Sequence, residues 1–304
     1  MTTEAEVEQY LTSLSNWGRW GSDDRLGTLN LITDDVRVAA ASLIRSGRTI
    51  SLSRDIDPEA PDALGSGIAL VQRFTGLHEV ADHFDGTALR FDAVTEYVGI
   101  AAHGSNTHVD GLAHYSWEGK NYNGFPESDT TSRFGAKSLS VHHAESGFLT
   151  RGVLLDVAAL HGVPWLDRGH AVTPEELEAA EERQGVRVRP GDALLVHTGN
   201  VEAILTEGPD AVGPGARQAG LHASCLPYLR ERDIAVLGND GVQDVPSPEI
   251  VEAVGYAGYD FAWIDAEHGA FDLGDLRDLI RAADATGPPW SVPSSSCSPS
   301  HRAS

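Results

Sequence analysis

Alternating apolar and polar stretches along the chain predict strands and helices in turn. Residues 151–158 are almost continuously apolar, which is typical of a strand buried on both faces. The pattern predicts strands over 49–53, 68–74, 89–100, 151–158, 193–198 and 234–238, and helices over 1–15, 33–46, 173–184 and 216–232. Because strands and helices alternate, we expect an α/β domain with a mixed sheet.

Two of the helices carry recognisable signals. Thr173, Pro174 and Glu176 supply a cap residue, a proline at the first helical position and a glutamate three residues after the cap. Gly185 stands where this helix should end. The helix over 33–46 has two acidic residues in its first turn and an apolar stripe at Val36, Ala39, Ala40, Leu43 and Ile44.

The composition narrows the class of protein. At 304 residues, the chain can bury a full core and could hold one large or two small domains. Its 22 Lys and Arg against 45 Asp and Glu give a net charge of −23, which argues against nucleic acid and anionic membrane as partners. The chain has no run of 18 apolar residues, an acidic N-terminus and only two cysteines, Cys225 and Cys297, so we expect a soluble cytoplasmic protein.

The richest candidate chemistry lies between His103 and Gly124. His103, His108, Asp110 and His114 all fall within twelve residues there. Imidazole nitrogens and carboxylate oxygens are ligands for Zn²⁺ and Mn²⁺, and residues two apart in an extended segment point to the same side, so His108 and Asp110 could share one ion. His114 suits proton transfer, because an unperturbed imidazole has a pKa of about 6.5. A loop of hydrogen-bonding histidines is the alternative, and the residue types alone leave the two interpretations evenly balanced.

The same stretch resembles the signature of the cyclase family of metal-dependent hydrolases, the kynurenine formamidase and isatin hydrolase type. The likeness covers about residues 16–245 and is densest at Thr107, His108, Asp110, His114, Gly119, Tyr122, Asn123 and Gly124. It implies the swivelling β/β/α-type fold of that family, His108 and Asp110 as ligands of Zn or Mn, and His114 as general acid and base. The family's first histidine falls on Gly104 here, so His103 would be a ligand through a local bulge, with Asn106 and Ser105 as weaker substitutes.

The resemblance also implies an activity. It is hydrolysis of a C–N bond in an aromatic amide, formamide or lactam, with ring closure as the family's other chemistry. A small aromatic molecule is then the expected partner, and we expect a homo-oligomer. Tyr122 and Trp20 are predicted to contact the substrate, Trp20 because its Trp–Gly–Arg–Trp loop resembles the N-terminal stretch of longer family members. A surface loop whose tryptophans cap the core is the alternative for that segment.

After about residue 245 the likeness to the cyclase family ends. Residues 246–286 form an atypical βα segment that resembles part of the hydroxy-oxo-dioate (pyruvate-type) aldolases, with Asp265 and His268 matching the catalytic pair of that family. The segment is too short for a barrel and is therefore an incomplete domain. Residues 287–304 are rich in Ser and Pro and are predicted to be disordered.

This change of family suggests a gene fusion or a frameshift. Residues 246–286 could instead pack as an ordinary βα unit, with Glu267 as a substitute metal ligand. Two rival functions follow. The chain is an inactive relative that has lost its second set of ligands, or it is a lyase working through Asp265 and His268.

The remaining polar candidates belong to no motif. Eight histidines are expected to be solvated or structural: His78, His83, His142, His143, His161, His170, His197 and His222. Asp240 follows a predicted buried strand and is expected to cap a turn, with a contact to the site as the alternative.

Overall fold

The computed structural model describes residues 4–53, 71–76, 94–99, 107–116, 119–208 and 218–240. Its elements are α1 (Glu4–Ser13), α2 (Asp34–Ala41), β1 (Val71–Gly76), β2 (Val94–Gly99), β3 (Thr130–Thr131), β4 (Gly135–Ala136), β5 (Gly152–Asp156), α3 (Val157–Leu160), β6 (Ala171–Val172), α4 (Pro174–Gln184), β7 (Ala193–His197), α5 (Asn200–Glu207), β8 (Gly220–Leu221), α6 (Leu226–Glu231) and β9 (Val236–Asn239). The predicted domain boundaries at 245 and 286, and the tail after 286, lie outside these residues.

A parallel three-stranded sheet in the order β5-β7-β9 forms the centre of the described fold. β6 and β8 make a second parallel pair, while β1 with β2 and β3 with β4 are antiparallel. Leu155, Leu194 and Val196 on the central strands are at most 1% exposed. The predicted α/β class is therefore confirmed, but each sheet among the described residues is purely parallel or purely antiparallel instead of mixed.

Strand β5 departs from its prediction because only one of its faces is buried. Leu155 is fully buried, but Leu154 beside it is 52% exposed, so the expected burial of both faces is wrong. Among the residues that the structure describes, β5 is an edge strand, and the Gln184 side chain covers part of its outer edge. The Gln184 amide donates to Leu154 O (2.7 Å) and accepts from the Asp156 N–H (2.8 Å), as a neighbouring strand would.

Helix α4 begins and ends where the sequence predicts. Thr173 Oγ1 accepts from the Glu176 N–H, and Glu176 Oε2 accepts from the Thr173 N–H, which completes a capping box. Gly185 ends the helix in the left-handed conformation. The local signals here were sufficient because every partner lies within four residues.

Three other predicted elements are wrong or shorter than expected. Residues 49–53 form no strand, and Ile50 and Leu52 are 68% and 74% exposed, because no described strand lies beside them to complete a ladder. Helix α2 ends at Ala41 instead of 46, and none of its residues is buried. The region 216–232 contains strand β8, a 3-10 turn at Ala223–Cys225 and the short α6 instead of one helix.

Asp240, directly after β9, fixes the turn that joins β7 to α5. Its carboxylate accepts hydrogen bonds from Thr198 N–H, Thr198 Oγ1 and Gly199 N–H, each at 2.8 Å, and from Asn200 N–H at 3.0 Å. Gly199 is required in this turn, since it has φ +79° and a Cβ there would lie 2.3 Å from Pro164 O. The predicted capping role of Asp240 is thus the one found.

The N-terminal loop is tied to the end of the sheet by one ion pair. Both terminal nitrogens of Arg19 donate to the two carboxylate oxygens of Asp233 at 2.7 Å, and Arg230 also donates to Asp233. The hydrogen bonds and charge of Arg19, helped by Arg230, hold the pKa of the Asp233 carboxyl below its usual value, although burial opposes this.

Arg19→Ala is expected to lower the free energy of unfolding by about 1 kcal/mol at pH 7, because a bidentate, partly buried pair is lost. A carboxyl with a lowered pKa stabilises the fold above its unfolded pKa of about 3.9 and loses that effect as the pH falls through the folded pKa. The difference between the two proteins should therefore shrink below about pH 4. Urea unfolding at pH 7 and pH 3 measures this.

Arg37→Ala is the matched control, since Arg37 pairs with Asp34, whose side chain is 98% exposed. We expect it to change stability by less than Arg19→Ala at pH 7. An Arg19→Ala effect of equal size at both pH values would contradict the assigned pair.

Candidate functional site

His108 and Asp110 lie together in the structure. His108 Nε2 is 3.6 Å from Asp110 Oδ2, and the two side chains are 28% and 14% exposed. Two ligands of one tetrahedral ion at about 2.0 Å are separated by roughly 3.3 Å, so this nitrogen and this oxygen fit a shared divalent ion. The other predicted ligand, His103, lies outside the described residues with its substitutes Ser105 and Asn106.

His114 lies on the same segment, in the turn that follows Asp110. Its backbone N–H donates to Gly111 O at 2.9 Å, and the next residue, Tyr115, packs against the hydrophobic core. Within the described part of the chain, His114 does not join His108 and Asp110 in a cluster of three possible ligands. The structure therefore brings the two predicted ligands together, with the predicted proton-transfer residue on the following turn.

Gly111 sets the shape of this turn. A Cβ at Gly111 would lie 2.9 Å from a Val141 methyl group and 3.5 Å from Leu139 O, so only glycine lets the segment 139–141 approach this closely. This approach puts the Val141–Ala144 3-10 turn beside Asp110.

An apolar cavity of about 320 Å³ opens beside Asp110. The cavity is bounded by the N-terminal loop, the segment after His108, the region 139–148 and strand β9 with the residues before it. Its apolar lining includes Leu26, Leu29, Leu112, Val141, Phe148 and Val236. A concave, mostly apolar space of this size with a few polar groups is the usual form of a small-molecule site.

Two basic side chains line the same cavity. The Arg25 guanidinium lies 5.4 Å from the centroid of the Phe125 ring. His143 Nε2 is buried, and it has no hydrogen-bond partner in the part of the chain that the structure describes. A buried ring nitrogen without a partner is costly, so His143 is suited to meet a polar atom of a ligand.

Tyr122 and Asn123 fasten the N-terminal loop to the signature. The Tyr122 hydroxyl donates to Asp24 Oδ2 at 2.9 Å, and Asp24 also accepts from the Gly27 N–H and from Asn30. Asn123, at φ +60°, accepts from the Gly18 N–H at 2.7 Å. These bonds join the N-terminal loop to a segment about a hundred residues later in the chain.

The predicted substrate contacts of Tyr122 and Trp20 stay predictions. Tyr122 is 4% exposed and its hydroxyl is already bonded, so its place in the structure is that of a link between loops. Trp20 is half-buried and stacks under Arg19, whose guanidinium carbon is 4.8 Å from the ring. The described lining of the cavity includes neither residue.

His161, His170 and Glu176 form a group of possible metal ligands that was not predicted from the sequence. Both imidazole Nε2 atoms lie against Glu176 Oε1, at 2.6 and 2.8 Å. The spacings of nine and six residues match no motif, and the capping role of Glu176 accounted for that residue by itself. His161 follows α3, His170 precedes β6 and Glu176 lies in the first turn of α4, so the three meet only when these elements pack together. No sequence pattern over neighbouring residues predicts that contact.

A second missed group lies at the carboxyl ends of the central strands. His197 Nδ1 is 3.0 Å from Asp156 Oδ1, and its Nε2 is 3.7 Å from Asp240 Oδ2. Burial raises the pKa of the Asp156 carboxyl, but the hydrogen bonds from His197 and the Ala159 N–H, with the charges of His197 and Arg183, outweigh it and lower the pKa. Because both carboxylates also cap helices, this group is part of the scaffold.

Comparison with known proteins agrees with this architecture. The family described as "Putative cyclase" matches residues 49–243. A crystal structure described as that of a novel cyclase is 31% identical over 75% of this chain and 77% of its own, with a TM-score of 0.65. Isatin hydrolase A from Ralstonia solanacearum is 18% identical over 76% of this chain and 81% of its own, with a TM-score of 0.42. No curated protein matches the chain.

These findings do not support the aldolase resemblance of residues 246–286, and Asp265, Glu267 and His268 lie outside the described residues. No helix in the described ranges is long and apolar enough to cross a membrane. The family match spans more than half of the chain, and the solved cyclase shares its α/β arrangement with parallel strands. The chain therefore belongs to the cyclase family.

Proposed function

We propose that this protein is a divalent-metal-dependent hydrolase of a C–N bond in an aromatic amide, formamide or lactam. The observation that carries the proposal is the His108–Asp110 pair, 3.6 Å apart, with Asp110 lining an apolar cavity. The signature resemblance supports the same assignment, and we extend it to the family's swivelling β/β/α-type arrangement and to His103 as a third ligand.

Each residue has a defined task in this proposal. His108 and Asp110 hold Zn²⁺ or Mn²⁺, which, when bound, supplies acidified water and polarises a carbonyl oxygen. His114 accepts a proton from the attacking water and returns it to the leaving nitrogen. The C–N bond breaks as the new C–O bond forms, so that the products are a carboxylate and an amine.

The cavity favours a largely apolar substrate. Its aliphatic and aromatic lining borders Asp110, and a substrate that filled it would displace water there, which strengthens electrostatic interactions at the reacting carbonyl. Arg25 and His143 supply hydrogen-bond donors or acceptors for a polar substituent. An aromatic amide or lactam presents this combination of a planar apolar ring and a polar edge.

Turnover of a panel of aryl formamides and lactams tests the proposal. The full chain is stripped with a chelator and assayed before and after addition of Zn²⁺ or Mn²⁺. We expect hydrolysis of at least one compound, reduced at least about 100-fold in the stripped protein and restored by metal. Ring closure without hydrolysis would favour the cyclase alternative, and no turnover with metal bound would favour the inactive relative.

A further inference from the structure

We infer that His161, His170 and Glu176 form a second zinc site, separate from the His108–Asp110 pair. The three residues come from different elements: His161 follows α3, His170 precedes β6, and Glu176 lies in the first turn of α4. Within the described residues they are the group of three whose possible ligand atoms all lie within 4.8 Å of one another.

The two imidazoles converge on a single oxygen. Glu176 Oε1 is 2.6 Å from His161 Nε2 and 2.8 Å from His170 Nε2, and the rings stand at 72° with centroids 5.2 Å apart. With the rings edge-on, both Nε2 atoms point to one place, and zinc binding would displace the protons that they donate to Glu176. Outward movements of about 0.5 to 0.7 Å would open these contacts to the roughly 3.3 Å separation of ligands around a tetrahedral ion.

The carboxylate is anchored in a way that suits a ligand. Glu176 Oε2 accepts from the Thr173 N–H at 2.8 Å, so the side chain keeps its orientation without the histidines. The other carboxylate oxygen, Oε1, is left to face the two imidazoles.

The group is also open to solvent. The side chains of His161, His170 and Glu176 are 40%, 28% and 17% exposed, so an ion can enter and retain water in its remaining position. Two imidazoles and a carboxylate form a donor set that zinc uses with one open position, whereas Mg²⁺ and Ca²⁺ prefer oxygen ligands. Zinc bound here would clamp the ends of α3 and α4 to the strand β6.

Zinc binding to the full chain, produced without a His-tag and freed of metal, tests the site by equilibrium dialysis. Asp110→Asn is the background, since it disables the pair proposed for catalysis. In that background we expect about one equivalent of Zn²⁺, with affinity at least about tenfold weaker after His161→Asn, His170→Asn or Glu176→Gln. Zinc should also raise the midpoint of thermal unfolding of the background protein, because it binds the folded state.

His142→Asn is the matched control. His142 Nε2 also lies near a glutamate, 3.5 Å from Glu145 Oε2, but among the described residues this pair belongs to no group of three possible metal ligands. The substitution should leave zinc affinity unchanged. Circular dichroism of each variant distinguishes the loss of a zinc ligand from the loss of the folded structure. Because His161 and His170 are partly exposed, we expect their variants to fold even if Glu176→Gln does not.

The outcomes separate this inference from the proposed function. Absence of zinc binding in the Asp110→Asn background, or binding unaffected by both histidine substitutions, overturns the second site. Zinc retained by Asp110→Asn and lost on His170→Asn supports the second site whether or not the protein hydrolyses any amide.

Discussion

His114→Asn is expected to reduce turnover by about 10²- to 10⁴-fold while leaving the metal content of the protein unchanged. The imidazole of His114 is the proposed proton acceptor, and asparagine keeps a similar polar shape without a titratable nitrogen. Its backbone N–H would still bond Gly111 O, so the turn after Asp110 should be preserved. Steady-state kinetics across pH 5–9, with metal analysis of the same samples, measure both effects.

The pH profile distinguishes proton transfer from a structural role. Protonation of a general base lowers kcat/KM at acidic pH, so loss of the His114 imidazole should remove this decrease from the pH profile. His142→Asn, which changes an exposed histidine outside the described cavity lining, should keep the wild-type profile. A His114→Asn protein that retained the acidic limb and most of its activity would contradict the assignment.

Asp240→Ala is expected to have the largest effect on stability, lowering the free energy of unfolding by about 3 kcal/mol. The substitution removes the acceptor of three backbone N–H groups and one hydroxyl at the turn from β7 to α5. Urea unfolding at pH 7 gives the measurement.

A graded series makes this prediction specific. Asp240→Asn retains one acceptor oxygen, so it should be destabilised by about half as much as Asp240→Ala. Asp23→Ala changes an exposed aspartate of the N-terminal loop and should be nearly neutral. Equal stability of Asp240→Ala and wild type would mean that solvent replaces these bonds at little cost.

Elements with local signals were predictable from the sequence. The capping box of α4 depends on Thr173 and Glu176, three residues apart, and the capping role of Asp240 follows from its position after a strand. The strands β7 and β9 were found because short apolar runs bounded by turn residues favour strands. The capping box acts over a few neighbouring residues, whereas Asp240 caps a turn that lies 40 to 42 residues earlier in the chain.

Elements whose partners are distant were not predictable. β8 exists because Gly220 and Leu221 pair with Ala171 and Val172, about fifty residues earlier, which a helical pattern over 216–232 does not reveal. The strand predicted over 49–53 fails for the opposite reason, since its alternation has no described neighbour to bond. In both regions, the presence or absence of a pairing strand decides the structure against the local helix or strand propensity.

The same distinction between local and distant partners applies to the candidate site. His108 and Asp110 are close in sequence and resemble a family signature, so their pairing could be anticipated. The cavity beside Asp110 could not, because Arg25, His143 and Val236 reach it from three separate parts of the chain. The His161–His170–Glu176 cluster likewise depends on the packing of three elements.

Metal content and turnover of Asp110→Asn, measured together, test the central claim most directly. His170→Asn is the reference background, so that the inferred second site contributes no zinc. The proposed function predicts about one equivalent of Zn or Mn in the reference, with loss of both the metal and at least about 99% of hydrolysis on adding Asp110→Asn. Full metal content and undiminished turnover in the double variant would contradict the account.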